Sequence, residues 1–351
     1  MDEVSGKPKD RCSGRVLIAG IGGASLGTEI FKCLRLTGDY TIFGCDISPV
    51  AFGHYQEGLE ESFVIDVNRY IENIVEVCEE CGIEYIIPGG EQPMVLLSGA
   101  EEILKGKGVS LVANSRSVVE TFSDKGKGFN LLEELGFRIP GSISITSTSC
   151  LDGMAFPCVV KPALDSGGSN FVFLANCEEE VKLYSDHLLL NGKKPIVQEY
   201  LPLDEGEFTV GVLSLPDGRI ASSIALKRIF NSKLSVSFKS EKGLISSGYS
   251  QGYIGDFPVI CAKAEEIAKK IGSTGPINVQ GRVRNGELIP FEINPRFSAS
   301  TYLRALAGVN EVEIFLKYLI RGEVVKPEKV KPGYYLRSLS EVFVSQEKVK
   351  K

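Results

Sequence analysis

The residues of this 351-residue chain best placed to do chemistry lie in one candidate hairpin, from Ile277 to Asn294. Along the run PFEINP, Glu292 and Asn294 stand two apart, so on a strand they project from one face, and Pro295 stops the ladder immediately after them. A carboxylate beside an amide oxygen suits a hard divalent cation such as Mg²⁺, which takes one or two carboxylates and keeps its other positions for water and substrate phosphate oxygens. Gln280, on the partner strand, is a third ligand in one register only. A two-residue turn at Asn285-Gly286 with an unbulged ladder pairs Arg284 with Glu287 and turns Gln280 to the opposite face. A three-residue turn, with Gly286 left-handed, pairs Val283 with Glu287 and brings Gln280 onto the face of Glu292. The expectation is therefore a bulged turn with φ > 0 at Gly286.

A second constellation is FPCVVKPALDSGGSN, in which a strand carrying Lys161 runs into a loop with Ser166, Gly167 and Gly168. Glycines let backbone N–H groups approach phosphate oxygens, and Lys161 adds a point charge. No G-x-x-x-x-G-K-[ST] is present, which argues against a P-loop kinase. Near the N-terminus, RVLIAGIGGASLG places Gly20, Gly22, Gly23 and Gly27 before the later Asp46. The third position of G-x-G-x-x-G is Ser25, so the dinucleotide fingerprint fails and an NAD-dependent oxidoreductase is the least favoured reading. PGGEQP sets Gly89, Gly90 and Glu91 after a buried-looking strand, where a sheet's C-terminal edge presents ligand contacts; Glu91 is a candidate on the substrate side.

These residues need elements to position them. From Arg15 to about Ala113, short apolar runs alternate with helical patterns, the mark of βαβ units and a parallel sheet. Residues 1–14 read as a polar leader and 15–117 as a Rossmann-like domain. VVETFSDKGKGFNLLEELG then reads as a helix, with Gly136 beyond its end and Pro140 after it. GSISITS, CVVKPA, NFVFLA and PIVQEYL read as strands around the helix EEEVKLYSDHLL, giving a small α+β subdomain at about 141–199. Long β-rich segments, the helix ICAKAEEIAKKIG, the hairpin and the helix VNEVEIFLKYLIRGE form another at about 200–330, within a 118–351 domain. The fold class is thus α/β followed by α+β.

Composition removes several partners. Lys plus Arg number 39 against 45 Asp plus Glu, a formal charge of −6, so no basic field draws nucleic acid or an anionic membrane. Nine scattered cysteines read as reduced thiols, and the Cys78-x-x-Cys81 pair lacks the second pair of a zinc site. The two histidines, His54 and His187, belong to no metal or triad pattern. Without an apolar leader or an apolar run of membrane length, the expectation is a cytoplasmic protein acting on small molecules.

The run NVQGRVRNGELIPFEINPRFSAST resembles the metal-binding hairpin of the ATP-grasp enzymes, nearest in character to the carbamoyl-phosphate synthetase large subunit and its single-module relatives. The resemblance covers about Val118 to Glu323 and, more loosely, the N-terminal region, which it makes a pre-ATP-grasp domain. It implies Gln280, Glu292 and Asn294 as ligands of Mg²⁺, with Mn²⁺ an alternative, and Arg296 facing the transferring phosphate. Lys161 and Lys125, the latter in an S-D-K run, are then phosphate contacts, and SGGS is the phosphate loop. In KKPIVQEYLPLDEGEFTV, free backbone groups at Glu199, Tyr200 and Leu201 suit an adenine edge, while Glu207 resembles the ribose-binding carboxylate despite a shifted spacing. The implied function is an ATP-dependent carboxylate–amine ligase passing through an acyl phosphate, with Arg228 and Arg304 as bidentate holders of a substrate carboxylate. A carbamoyl-phosphate-synthetase-type subunit and a non-catalytic nucleotide-binding protein are the alternatives. A homo-oligomer is compatible with all three.

Overall fold

The computed structural model describes residues 14–23, 26–145, 153–163 and 171–350; the phosphate-loop residues Ser166, Gly167 and Gly168 and nearly all of the polar leader lie outside the described residues. The first sheet is built from β1 (Arg15–Ala19), β2 (Thr41–Asp46), β3 (Glu61–Val64), β4 (Tyr85–Pro88) and β5 (Ser110–Leu111), all parallel, in the order β3-β2-β1-β4-β5. Its helices are α1 (Leu26–Thr37), α2 (Tyr70–Cys81), α3 (Glu91–Gly99) and α4 (Glu101–Gly106). Successive β1 residues feed different cores: Val16 and Ile18 pack with Ile30 of α1, and Leu17 packs with Ile74 and Val77 of α2. A strand buried on both faces reads as an unbroken apolar run, which is why VLI marks it.

Two helices follow, α5 (Arg116–Ser123) and α6 (Lys125–Glu134). The sequence pattern reads them as one helix, but Asp124 interrupts it and accepts the Lys127 N–H at 3.1 Å, capping α6. At the other end Gly136 has φ +79° and Phe137 N–H donates to Leu132 C=O, the left-handed helix stop expected there.

A four-stranded antiparallel sheet comes next: β6 (Ser142–Ser144), β7 (Cys158–Pro162), β8 (Phe173–Ala175) and, after α7 (Glu178–Leu190), β9 (Pro195–Glu199), in the order β6-β9-β7-β8. The remaining strands are β10 (Glu207–Ser214), β11 (Ile220–Arg228), β12 (Val236–Lys239), β13 (Leu244–Ser246), β14 (Gly252–Ile254), β15 (Pro276–Arg284), β16 (Glu287–Asn294) and β17 (Gly333–Tyr335). All but the small β12-β13 hairpin join an antiparallel sheet of order β16-β15-β10-β11-β14-β17. Helix α8 (Pro258–Lys270) packs Ala264 and Ile267 on Val210 and Val279, while α10 (Glu311–Arg321), preceded by the short α9 (Thr301–Leu306), packs Phe315 and Leu316 on the side of Leu213 and Leu226. A parallel sheet followed by antiparallel α+β layers is the architecture expected. Among the described residues no helix is long and apolar enough to cross a membrane.

The hairpin departs from expectation in one instructive way. Asn285 and Gly286 have φ 54° and 75° and pair Arg284 with Glu287, so the turn is the regular two-residue kind and the expected three-residue turn is wrong. The ladder slips further along instead: Gly281 pairs with Pro290 but Gln280 with Glu292, leaving Phe291 as an extra residue in β16. That bulge restores Gln280 to the face of Glu292. Two residues place it. Pro290 has no N–H to give a ladder, and a Cβ on residue 281 would lie 2.6 Å from Ile289 O, so only glycine admits the bulged strand so closely. Gly281→Ala is expected to destabilise the fold by about 1–3 kcal/mol in urea denaturation; a variant as stable as the parent would refute this account of the bulge.

Candidate active site

A cleft opens between β7 and β9 on one side and β15 and β16 on the other. Lys161 stands on its floor because β7 alternates: Cys158 and Val160 enter the subdomain core, so Val159 and Lys161 face the cleft. Its Nζ donates to Gln198 Oε1 at 2.9 Å and to Phe291 C=O at 3.3 Å, and lies 5.2 Å from the Phe129 ring centre. The Phe291 carbonyl is the one belonging to the bulged residue. Burial pushes the Lys161 ammonium down to about 7; the nearby Lys125 acts the same way and Glu292 opposes both. Lys125 opens α6, its N–H donates to Ala163 C=O at 3.2 Å, and its Nζ lies 3.8 Å from the Glu292 carboxylate. Both lysines predicted to meet phosphate therefore line one cleft with Glu292.

Gln280 lies directly across from Glu292, and Asn294 follows two residues on, so all three share the cleft-side face of the hairpin. Asn294 is buried; its Oδ1 accepts from Arg296 Nη2 at 3.2 Å, while its Nδ2 has no partner within the protein. Arg296 also donates to Phe297 C=O at 3.0 Å and remains half-buried. One carboxylate and two amides form a hard-donor set of low charge, which fits a cation that completes its shell with a ligand's own oxygens. Among the described residues no three His, Cys, Asp or Glu side chains gather as a metal cage, so such a shared shell is the arrangement these residues fit.

Three expected ligand contacts are already committed inside the protein. Glu207 is wholly buried and divides its carboxylate between Arg228 Nη1 at 2.8 Å and Arg282 Nε at 2.9 Å. Arg228 spends its other Nη on Ser247 C=O, and burial pushes its guanidinium below the usual arginine value. Arg304 is 1 % exposed and bound to Glu311, Asn278 Oδ1 and Thr209 Oγ1. Arg228 and Arg304 thus direct their Nη groups to partners inside the protein, whereas Glu207 lines the cleft with each oxygen already accepting one hydrogen bond; desolvated charges are retained only where partners satisfy them. The connector is partly used as well: Leu201 C=O accepts from Arg282 Nη1 and Glu199 N–H donates to Gly141 C=O.

Sequence reading passed over Gln198, a polar residue that follows an apolar run and is therefore visible in principle, and Arg282, which alternates with other polar residues along β15. It also passed over Arg337, which joins Glu29 of α1 to Ala299 C=O after the hairpin; no periodicity marks that segment. Glu91 opens α3 half-buried at the edge of the parallel sheet and does not line the cleft. The N-terminal glycines serve packing: a Cβ on Gly27 or Gly89 would fall 1.8 or 2.0 Å from Gly20 O. Glu207→Gln, which strips two buried guanidinium groups of their counter-charge, is expected to cost about 3–5 kcal/mol of stability by urea denaturation; a loss below about 1 kcal/mol would contradict the paired geometry.

Residues 192–342 match the family model described as ATP-grasp in the biosynthetic pathway with Ter operon. The arginine-specific carbamoyl phosphate synthase large chain of Bacillus subtilis (strain 168) is 24 % identical over 303 residues, covering 81 % of this chain and 28 % of that one. This chain thus spans less than a third of the length of that relative. Among solved structures, the biotin carboxylase domain dimer of Hydrogenobacter thermophilus 2-oxoglutarate carboxylase, in complex with MgADP, ADP and bicarbonate, superposes with a TM-score of 0.64 at 16 % identity, covering 90 % of this chain and 71 % of that one. The L-amino acid ligase from Bacillus licheniformis gives a TM-score of 0.65 at 15 % identity, with 90 % and 75 % covered. Sheet order, hairpin and these likenesses agree: the chain is built on the ATP-grasp fold.

Proposed function

We propose that the chain is an ATP- and Mg²⁺-dependent ligase that activates a small carboxylate as an acyl phosphate for attack by an amine or ammonia, forming a carbon–nitrogen bond. The observation that carries this reading is that Lys125, 3.8 Å from the Glu292 carboxylate, and Lys161 line one cleft with Gln280, Glu292 and the Glu199–Leu201 connector. Lys125, with a Lys161 ammonium that a bound polyanion would hold charged, suits a polyphosphate. Gln280, Glu292 and Asn294 would hold the metal, which supplies charge neutralisation at the phosphates; Mn²⁺ suits the same donors. Lys125, Lys161 and Arg296 offset negative charge developing on the transferred phosphoryl group, and positioning rather than a side-chain nucleophile does the work. Adenine belongs against the connector, using the groups that Arg282 and Gly141 leave free. The phosphate loop with Ser166, Gly167 and Gly168, and Glu91 on the substrate side, retain the roles assigned to them. Small-molecule substrates and a cytoplasmic location complete the proposal.

A carbamoyl-phosphate-synthetase-type activity is the second reading, favoured by the Bacillus subtilis relative. Screening phosphate and ADP release across amino acids, small carboxylates and bicarbonate, with mass spectrometry of products, separates the two; no release with any pair would leave a non-catalytic nucleotide binder. Glu292→Ala is expected to lower ATP turnover at least a hundredfold with an unchanged melting profile, and a turnover equal to the parent's would refute the metal assignment. Lys161 gives a pH signature. With its ammonium pushed down to about 7, it is mostly neutral at about pH 8, and a bound polyphosphate favours the charged form. Nucleotide binding should therefore take up close to one proton at about pH 8 and far less at about pH 6, where the lysine is already charged. Calorimetry in buffers of different ionisation enthalpy reads this directly. Lys161→Met should abolish the uptake.

A further inference from the structure

One polar side chain in the cleft wall is explained by neither the hairpin nor the connector. Gln198 lies in β9 between Val197, which enters the subdomain core, and Glu199, so it faces the cleft together with its cross-strand partner Val159 and with Lys161. It is 3 % exposed. Its orientation is set by chemistry: the Lys161 ammonium only donates, so Oε1 must be the atom at 2.9 Å. The amide nitrogen is thereby turned away from Lys161, and it has no acceptor within the protein. A buried N–H₂ without an acceptor destabilises the fold it sits in. A ligand that brings an acceptor relieves that penalty, so the same group favours binding.

Resting on the adenine-nucleotide reading above, we propose that Gln198 is a nucleotide-specificity residue whose Nε2–H₂ donates to an acceptor of the bound nucleotide, the purine N7 or an α-phosphate oxygen, while its Oε1 holds Lys161. The place in the chain limits the choice to these atoms. Gln198 directly precedes the connector assigned to adenine and touches the lysine assigned to phosphate, so it stands where base and phosphate chain meet. A hydrophobic residue there would satisfy the strand equally well; the amide adds a donor that discriminates among ligands.

Calorimetric titration of the full chain with MgADP and with Mg-7-deaza-ADP tests this, using the parent, Gln198→Met and Gln198→Glu. Methionine keeps the shape and loses both polar atoms, whereas glutamate keeps an acceptor for Lys161 and loses the donor. Both variants should bind MgADP about tenfold more weakly. With an N7 contact, the parent binds the 7-deaza analogue about tenfold more weakly than ADP and Gln198→Met binds the two alike. With an α-phosphate contact, the parent binds the two alike and both variants lose affinity for each. Should Gln198→Met fail to fold, the glutamate variant and the parent's response to the analogue still decide. The proposal is overturned if either variant binds MgADP as tightly as the parent, or if Gln198→Met adds nothing on a Lys161→Met background, since Gln198 would then act only through the lysine. A parent chain that binds no MgADP would bring down the nucleotide reading and this inference together, whereas a parent that binds with unaffected variants removes this inference alone.

Discussion

One extra residue in an edge strand organises the site. Because Phe291 stands outside the β15–β16 register, Gln280 is carried onto the face of Glu292 and the Phe291 carbonyl turns toward the Lys161 ammonium. A ladder without the bulge would reverse Gln280 and return that carbonyl to strand pairing. Donor set and lysine position are thus two consequences of a single slip, and the slip depends on a glycine facing a strand that contains a proline.

Charge placement follows a second constraint, that a desolvated charge needs a partner. Glu207 satisfies it with two arginines, which in turn hold the carbonyls of Leu201, Leu244 and Ser247. Leu201 and Leu244 both line the cleft. The buried cluster therefore supports two walls of the cleft, and Glu207 and Arg282 line it themselves. Lys161 is the contrasting case. It has neutral partners and a half-exposed carboxylate nearby, so burial lowers its affinity for a proton, and a polyanion would reverse that balance.

Near the cleft, Arg228, Arg304 and Glu207 are held in ion pairs, although the Nε of each arginine lacks a partner, and the amide nitrogens of Gln198 and Asn294 lack one too. On the proposed reading the ion pairs build the cleft and the amides of Gln198 and Asn294 meet what enters it. Arg337, tied to Glu29 and to Ala299 C=O, joins the parallel sheet's first helix to the loop beyond the hairpin and so holds the N-terminal layer against the site.

The sequence alone determined the parallel sheet, the split into α/β and α+β layers, the hairpin and its carboxylate–amide strand. Those features rest on local quantities, apolar period, turn residues and the two-residue spacing of Glu292 and Asn294, whereas the association of Lys125 and Lys161 with that strand came from the family resemblance. Short strands such as β3, β14 and β17 escaped because three or four residues carry too little periodicity. Only the tertiary structure decided that the hairpin turn is regular and the bulge lies at Phe291, and that Glu207, Arg228 and Arg304 are occupied. A charged residue reads the same in sequence whether it faces a ligand or a partner twenty or a hundred positions away. Which of the two it meets is fixed by how strands pair and layers pack, and that depends on the whole chain.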